Sequence, residues 1–464
     1  MKKILFSVCL FCACAEGFSH KLDIYPVPQG IVYSMHCDDF TVQARTPGGE
    51  WQDLYEYKVQ VDADTRSEAS MVQFDFEGTV EVKVKVNNGL VNGVKIRPLN
   101  RDIRHVQKDN VIYLTLDRPA KLSLEVNGDR LHNLHIFANG TEKETYREGD
   151  ANVMYFGAGM HKPAEGNNSF TVPSNTVVYL APGAVVQGKF VCDRVENVRF
   201  LGRGFLLEPQ RGFEITFSKN IEIDGITVIN PQHYTVYGGQ TAGLKVNNLK
   251  SFSNKGWSDG IDLMSCSDVS INDIFMRNSD DCIAIYGHRW DYYGDARNYV
   301  VRNAILWADI AHPVNIGLHG NADGDGETVE NLHFSDMDIL EHDEDDRNYQ
   351  GCMALTVSDK NLVKDVTFEN VRVENIQEGQ LFSLRVLYNE KYSAAPGRGI
   401  RNVTFRNISY CGEDGNPSII EGYDEQRQIE NVLFDGIYIN NKKINTLPEA
   451  GIKVGNFTKG IIMK

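Results

Sequence analysis

WSDGIDLMSCSDVSINDIFMRNSDDCIAI, residues 257–285, sets an acidic cassette, WSDGIDL, before a second one, SDDCIAI, with the strand-like run SDVSINDI between them. Asp259 and Asp280 are 21 residues apart, and His312, in AHPVNIG (311–317), follows Asp281 by 31. The pattern of the middle run is Asn or Asp, aliphatic, any, aliphatic or aromatic, any, Asn/Asp/Gly, aliphatic. It recurs as ENVRFLG (196–202), KNIEIDGI (219–226), ENLHFSDM (330–337), KDVTFENV (364–371), RNVTFRNI (401–408) and ENVLFDGI (430–437), with weaker copies at AGLKVNNL (242–249) and RNYVVRNA (297–304). Successive copies begin 23 to 37 residues apart. Alternating side chains predict short strands with one buried face, and a period of this size predicts a solenoid. If each interval is one coil, Asp259, Asp280, Asp281 and His312 converge on one surface.

Burial favours stacking. Each copy carries three or four large apolar side chains, worth roughly 1.5–3 kcal/mol apiece when buried, and a lone coil has nothing to bury them against. The recurrent Asn or Asp tolerates a left-handed bend, so stacked coils would carry these residues as a ladder of corners. The expected fold class is all-β: a right-handed parallel β-helix, the hand following from the general crossover rule. Ahead of it, FTVQAR, YKVQVDA, MVQFDF, VEVKVKV, VIYLTL and KLSLEVN alternate between Gly, Asn and Asp turns, which suits an antiparallel β-sandwich. The expected division is a signal peptide over 1–19, a sandwich over 20–140 and the β-helix over 141–464, with the sandwich capping the open end of the helix.

The 464 residues carry a net charge of −16, which argues against a nucleic-acid or anionic-membrane partner. Lys2 and Lys3 precede an apolar run from Ile4 to Cys14, too short for a membrane span and typical of an export signal. Cleavage after Ala15 or Ser19, or lipid attachment at Cys14, are its alternative outcomes, giving a periplasmic or extracellular location. The remaining cysteines, Cys37, Cys192, Cys266, Cys282, Cys352 and Cys411, lack metal-type spacing, and most of them read as packing residues. NADGDGE (321–327) starts like a calcium loop but has Leu332 where the twelfth-position Glu belongs, so it reads as a turn and no metal is expected.

Carboxylates on neighbouring rungs, ~4.8 Å apart, fall between contact and the ~6.5–9.5 Å that an inverting glycosidase uses to admit a water. Crowding raises one carboxyl's pKa and leaves it protonated as an acid. An Asp beside Gly in such a coil is ordinarily a corner residue, and Asp262, Asp268 and Asp273 are given that role. YGHRWDYYGD (286–295) supplies Tyr286, His288, Trp290 and Tyr292 as a sugar platform, with loop packing as the alternative. The acidic run EHDEDDR (341–347) reads as surface, with His342 and Asp343 candidates for the cleft edge.

WSDGID resembles the NTDGID motif of glycoside hydrolase family 28, the polygalacturonases; SDDCIAI is similar to its DDC segment and AHPVNIG to its GHG-x-x-IG segment. The sandwich followed by YFGAGMH and VYLAPGAVVQG also resembles family 49, the dextranases and isopullulanases. The resemblance implies inverting hydrolysis of an α-linked glycan without a cofactor. Asp280 matches the general acid, Asp259 and Asp281 the pair that activates water, and His312 the histidine that supports the acid and contacts sugar. Family 28 also places an Arg-x-Lys strand about one coil after the histidine. Here that strand is GCMALTV (351–357), without either charge, and Arg347 is the nearest cation, with Arg289 and Arg385 as further candidates. A poly- or oligosaccharide is therefore the expected partner, either a neutral or sparsely charged α-linked glycan or a pectin side structure. A β-helix lyase, needing a Lys or Arg base, and a non-catalytic binding solenoid are the competing classes.

Overall fold

The computed structural model describes residues 20–413 and 415–464; the export-signal reading and Cys14 lie outside the described residues. Residues 153–463 form parallel coils. Each coil contributes strands such as Ala242–Asn247, Lys250–Phe252 and Ile261–Met264, each paired in parallel with its counterparts on the coils before and after. One departure sits at the end, where Lys442–Ile444 pairs antiparallel with Ile429–Ile439. No helix among the described residues is long and apolar enough to cross a membrane.

The repeat pattern is the coil. Val198, Ile221, Leu244, Val269, Leu332, Val366, Val403 and Val432 are all buried in one continuous core. Phe334, Phe368, Phe405 and Phe434 stack along it at centroid spacings of 4.6, 5.4 and 5.1 Å. The polar corners behave as the pattern predicts. Asp268, Asn298 and Asn331 have φ of 56°, 62° and 57°, and their side chains bond coil to coil at 2.8 Å each. A second ladder runs through Asn247, Asn272 and Asn303. Asp268 and Asp273 are corners as expected; Asp262 is not.

Residues 21–140 build two sheets, one around Ser67–Glu77 and Asp129–Gly140, the other around Phe40–Arg45, Val80–Val86 and Val111–Leu116. Their inner faces share Val42, Phe74, Val82, Leu114, Leu122 and Ile136. Pairing is antiparallel except between Asp129–Gly140 and Ser67–Glu77, which run parallel. The expectation of a cap on the helix end is wrong. The outer face of the first sheet, with Val59, Met71 and Phe137, lies along the flank of the helix against Phe205, Ile229, Phe252, Phe275, Trp307 and Leu340, one or two from each successive coil. Those residues are the large apolar side chains of the middle strands, and covering them is what the sandwich does for the helix.

Buried arginines fix this contact. Arg97 pairs with Glu125, Glu341 and Glu374 at 2.6–2.9 Å, Arg203 with Asp75 at 2.9 Å, and Arg277 with Asp309 at 2.9 Å while also bonding Asn133 and His135.

Candidate active site

The remaining sheet of the helix forms the floor of the site. Its strands Val236–Gly239, Ile261–Met264, Ile283–Tyr286, Val314–Ile316, Met353–Val357 and Phe382–Val386 pair in parallel and in register. Period-2 alternation sends Ile261, Leu263, Ile283, Ile285, Val314 and Ile316 into the core. The opposite face therefore presents, coil by coil, Tyr237, Asp262, Ala284, Asn315, Ala354 and Ser383 in one register column.

Asp259, Asp280–Asp281 and His312 each stand just before the strand of their own coil, so the stacking that builds the core also gathers them. One carboxylate oxygen from each of Asp259, Asp280 and Asp281 lies within 4.8 Å of the others. Among the described residues, these are the ones whose oxygens come close enough together to hold a cation. Gly260 permits the approach, since a Cβ there would stand 2.3 Å from the Cys282 carbonyl oxygen.

His312 is fully buried. Its Nδ1 bonds Asp281 Oδ1 at 2.6 Å and its Nε2 bonds the Tyr349 carbonyl oxygen. Both partners are acceptors, so both ring nitrogens carry hydrogen and the ring is an imidazolium. Burial opposes this charge, but Asp281 outweighs burial and holds His312 up to about 9. Asp281 receives four bonds: His312 N at 3.1 Å and Nδ1 on one oxygen, Asn315 Nδ2 at 2.9 Å and Tyr286 Oη at 3.3 Å on the other. Burial would raise this carboxyl, yet the His312 charge and these donors hold it below the usual carboxylate range.

Asp280 differs. It is more exposed than its neighbours and accepts the backbone N–H of Trp257 at 2.9 Å and that of Asp281 at 3.1 Å. Burial and the charge of Asp281 push it up to about 6 against those bonds. Asp259 is pushed well above the carboxylate range by burial and then by Asp262, Asp280 and Asp281, and its Oδ1 has no hydrogen-bond partner among the described residues.

Asp262 is the residue the sequence reading misassigned. It is fully buried on the outward column, its carboxyl against that of Asp259, with which a shared proton would form a hydrogen bond; Arg289 Nη1 stands 3.8 Å away. Burial raises it well above the usual range, Arg289 opposing. The signal was present in the alternation Ile261-in, Asp262-out, Leu263-in. The site thus holds four carboxylates against two cations, Arg289 and His312.

The loop candidates separate. Tyr286 is buried and orients Asp281. Tyr292 is buried and accepts the Tyr237 hydroxyl at 2.8 Å, while His288 bonds the Tyr292 carbonyl at 2.6 Å and stacks on Tyr293, so both pack within the loop. Trp290 is 46% exposed and stacks on Tyr237 at 5.6 Å. Trp257, 70% exposed beside Asp280, was not singled out. Arg347 is exposed, and its backbone carbonyl accepts a bond from Gln380. His342 is buried and held neutral, donating Nδ1–H to Ala311 O and accepting Gly351 N–H at Nε2. The NADGDGE segment is a turn closed by Asn321 Oδ1 and Glu327.

The profile of the family described as Glycosyl hydrolases family 28 matches residues 207–453, more than half of the chain and all four cassette residues. The chain belongs to glycosyl hydrolase family 28. Within this family it is 23% identical over 257 residues to an exopolygalacturonase (clone GBGE184) of Arabidopsis thaliana, covering 50% of this chain and 56% of that one. It is 24% identical over 235 residues to a probable endopolygalacturonase D of Aspergillus flavus, covering 50% and 42%. The matches span about half the length of these relatives. In structure the chain is similar to Dex49A from Penicillium minioluteum, with a TM-score of 0.57 and 14% identity over 92% of this chain and 94% of that one, a likeness of fold.

Proposed function

We propose that this family 28 protein is a glycoside hydrolase that cleaves an α-linked poly- or oligosaccharide with inversion, its site formed on the coils of residues 141–464 and flanked by the sandwich of residues 20–140. Asp280 is the general acid. Its support is the pairing of a pKa near 6 with partial exposure beside the exposed ring of Trp257, where a sugar can stack. Asp259, less engaged by donors than Asp281, holds the attacking water. Asp281, saturated by four donors and paired to the His312 imidazolium, supplies the fixed negative charge that orients that water and stabilises an oxocarbenium-like transition state. His312 acts through Asp281; with both nitrogens engaged in the interior, it touches no sugar. The relatives act on polygalacturonate according to their names, and the same chemistry is assigned to this chain on an α-linked substrate.

The observation that carries the reading is the unequal environment of the carboxylates: one saturated and ionised, one partly exposed with its pKa raised. That division is what acid–base glycoside hydrolysis requires, and a binding solenoid has no use for it. The test is reducing-end release from a panel of plant and microbial α-glycans by wild type and Asp280→Asn. Release by wild type that Asp280→Asn loses supports the assignment; full activity in Asp280→Asn sinks it.

A further inference from the structure

The first sheet of the sandwich lies on the helix, so the second turns its outer face to solvent. Val42, Ala44, Val82, Val84, Ile112 and Leu114 point into the sandwich core, and the alternation sends Gln43, Arg45, Lys83, Lys85 and Tyr113 outward. The water-facing side of an antiparallel sheet is ordinarily polar. This one carries Trp51 and Tyr113 with ring centres 6.4 Å apart, and Val106, 57% exposed, opposite Tyr113 on the edge strand His105–Lys108.

Cations surround the rings. Arg45 Cζ lies 4.2 Å and Lys83 Nζ 5.8 Å from the ring centre of Trp51, and Lys108 Nζ lies 5.9 Å from that of Tyr113. Lys85 and Lys108 stand on either side of Val111 in the next row of the sheet. Two acids share this face: Glu81 is taken by Arg45, and Asp53 accepts Gln43 Nε2 at 2.7 Å. Beyond Tyr113 and Val106 the face runs into a groove of about 920 Å³ against the helix corners Asn272, Asp273 and Asn303, lined by Arg101, Arg104, Arg118 and Lys121. Asp102 and Asp117 also line it, while Asp273 is held by the buried Lys121 at 2.7 Å. Lys83, Lys85, Lys108, Arg104 and Arg118 take part in no ion pair among the described residues. Free cations therefore gather on this side of a chain whose net charge is −16.

We propose that this face, from Trp51 across Tyr113 into the groove, is a second, non-catalytic glycan-binding surface whose ligand is an acidic polysaccharide. The two rings stack on sugar faces, and Lys83, Lys85 and Lys108 meet charges along the polymer. Cations on neighbouring strands, ~4.8 Å apart, match charges repeated along a chain better than one small anion. A nucleic acid or an anionic membrane is the poorer fit, because the charge of the whole chain opposes both while the exposed rings serve neither. None of these residues belongs to the acid cluster, so the surface holds a polymer without cutting it and keeps the protein on an acidic matrix. The assignment stands apart from the hydrolase reading.

The test is calorimetric binding in the Asp280→Asn background, which removes turnover. The probes are polygalacturonate, dextran sulfate and neutral dextran, with single-stranded DNA as the control polyanion. The expected result is binding of an acidic polysaccharide that neutral dextran does not match and that weakens as salt rises. Trp51→Ala should weaken it about tenfold. Lys83→Gln, Lys85→Gln and Lys108→Gln together should weaken it several-fold and flatten its salt dependence; these side chains lie outside the core, so the triple variant decides the matter if Trp51→Ala does not fold. Tighter binding of polygalacturonate identifies carboxylate as the charge that is read, and tighter binding of dextran sulfate identifies sulfate. Binding of no acidic polysaccharide, equal binding of neutral dextran, or DNA binding as tight as that of the better acidic polysaccharide overturns the proposal. Affinity undiminished in the triple variant, or in folded Trp51→Ala, overturns it too, because the binding then belongs to the acid cluster. Since only binding is read, loss in these variants by a chain that releases no reducing ends refutes the hydrolase reading and leaves this one standing.

Discussion

His312 gives Nδ1–H to Asp281 at 2.6 Å and Nε2–H to the Tyr349 carbonyl, which makes it a buried imidazolium with Asp281 as its counter-charge in contact. Its folded pKa, about 9, lies above the unfolded value near 6.5. A group raised on folding contributes stability that is fully present below the unfolded pKa and is lost as pH rises through the folded one. Thermal melts of wild type should therefore lose a component between about pH 6.5 and 9 that is missing in His312→Gln. The variant should also be less stable at neutral pH by about 3–5 kcal/mol, because Asp281 is left buried and unpaired. An identical alkaline limb in both proteins would show that His312 is neutral.

Asp280 must be protonated to act as the acid, and its pKa is raised to about 6. The kcat of wild type should fall as pH rises through that value, because the acid form is lost. In Asp280→Asn, kcat should drop by about 10²–10⁴ and the residual rate should lose this limb. A kcat that climbs steadily from pH 5 to 8 would contradict the assignment.

Asp259 and Asp262 are adjacent buried carboxyls, both pushed upward, and only one of them needs its charge. If Asp262 carries the shared proton while Asp259 works as the base, Asn is a near-isostere at position 262. Asp262→Asn should then cost less than about tenfold in kcat, and Asp259→Asn at least 10²-fold. Equal losses in the two variants would mean that Asp262 is ionised in the working state.

The coils and their corners were legible because each is local. Asn298 at φ 62° and the column Phe334, Phe368, Phe405 and Phe434 follow from one repeat read once. The acids were legible for the same reason, since one residue per coil at a fixed offset must align. What escaped depends on facing direction and long-range contact. Asp262 sits in a Gly-Ile-Asp string that looks like a corner until the alternation of Ile261 and Leu263 is applied to it. Arg289 gains its meaning from Tyr234, 55 residues away. The flank position of the sandwich was written in the large apolar residues of the middle strands, such as Phe252 and Trp307, which the core alone does not need.

Arg97 gives a test of how that flank is held. It is 1% exposed and bonds three glutamates, Glu125 from the sandwich and Glu341 and Glu374 from the helix. Arg97→Met removes the cation and leaves three buried carboxylates facing one another, so the loss should reach at least the ~3–5 kcal/mol typical of a broken buried pair. Urea unfolding should show a lower midpoint, with much of the loss recovered when Glu341→Gln and Glu374→Gln are added. A midpoint within error of wild type would show that apolar contact alone fixes the two parts.

Stereochemistry is the sharpest test of the roles given to the carboxylates. One oxygen of each of Asp259, Asp280 and Asp281 lies within 4.8 Å of the others, so acid and base stand in one cluster. Inversion in so tight a cluster requires the water to sit beside the acid, held by Asp259 and Asp281 together, in place of a single base across the ring. Asp281 is a poor nucleophile, with both oxygens occupied by four donors and its charge paired to His312. Asp259 is the less engaged carboxylate, its buried Oδ1 lacking a hydrogen-bond partner among the described residues. Proton NMR of the first-formed sugar should therefore show the anomer opposite to that of the cleaved bond. A retained anomer, with a glycosyl ester trapped on Asp259, would make that residue the nucleophile and replace the water-holding role assigned to it.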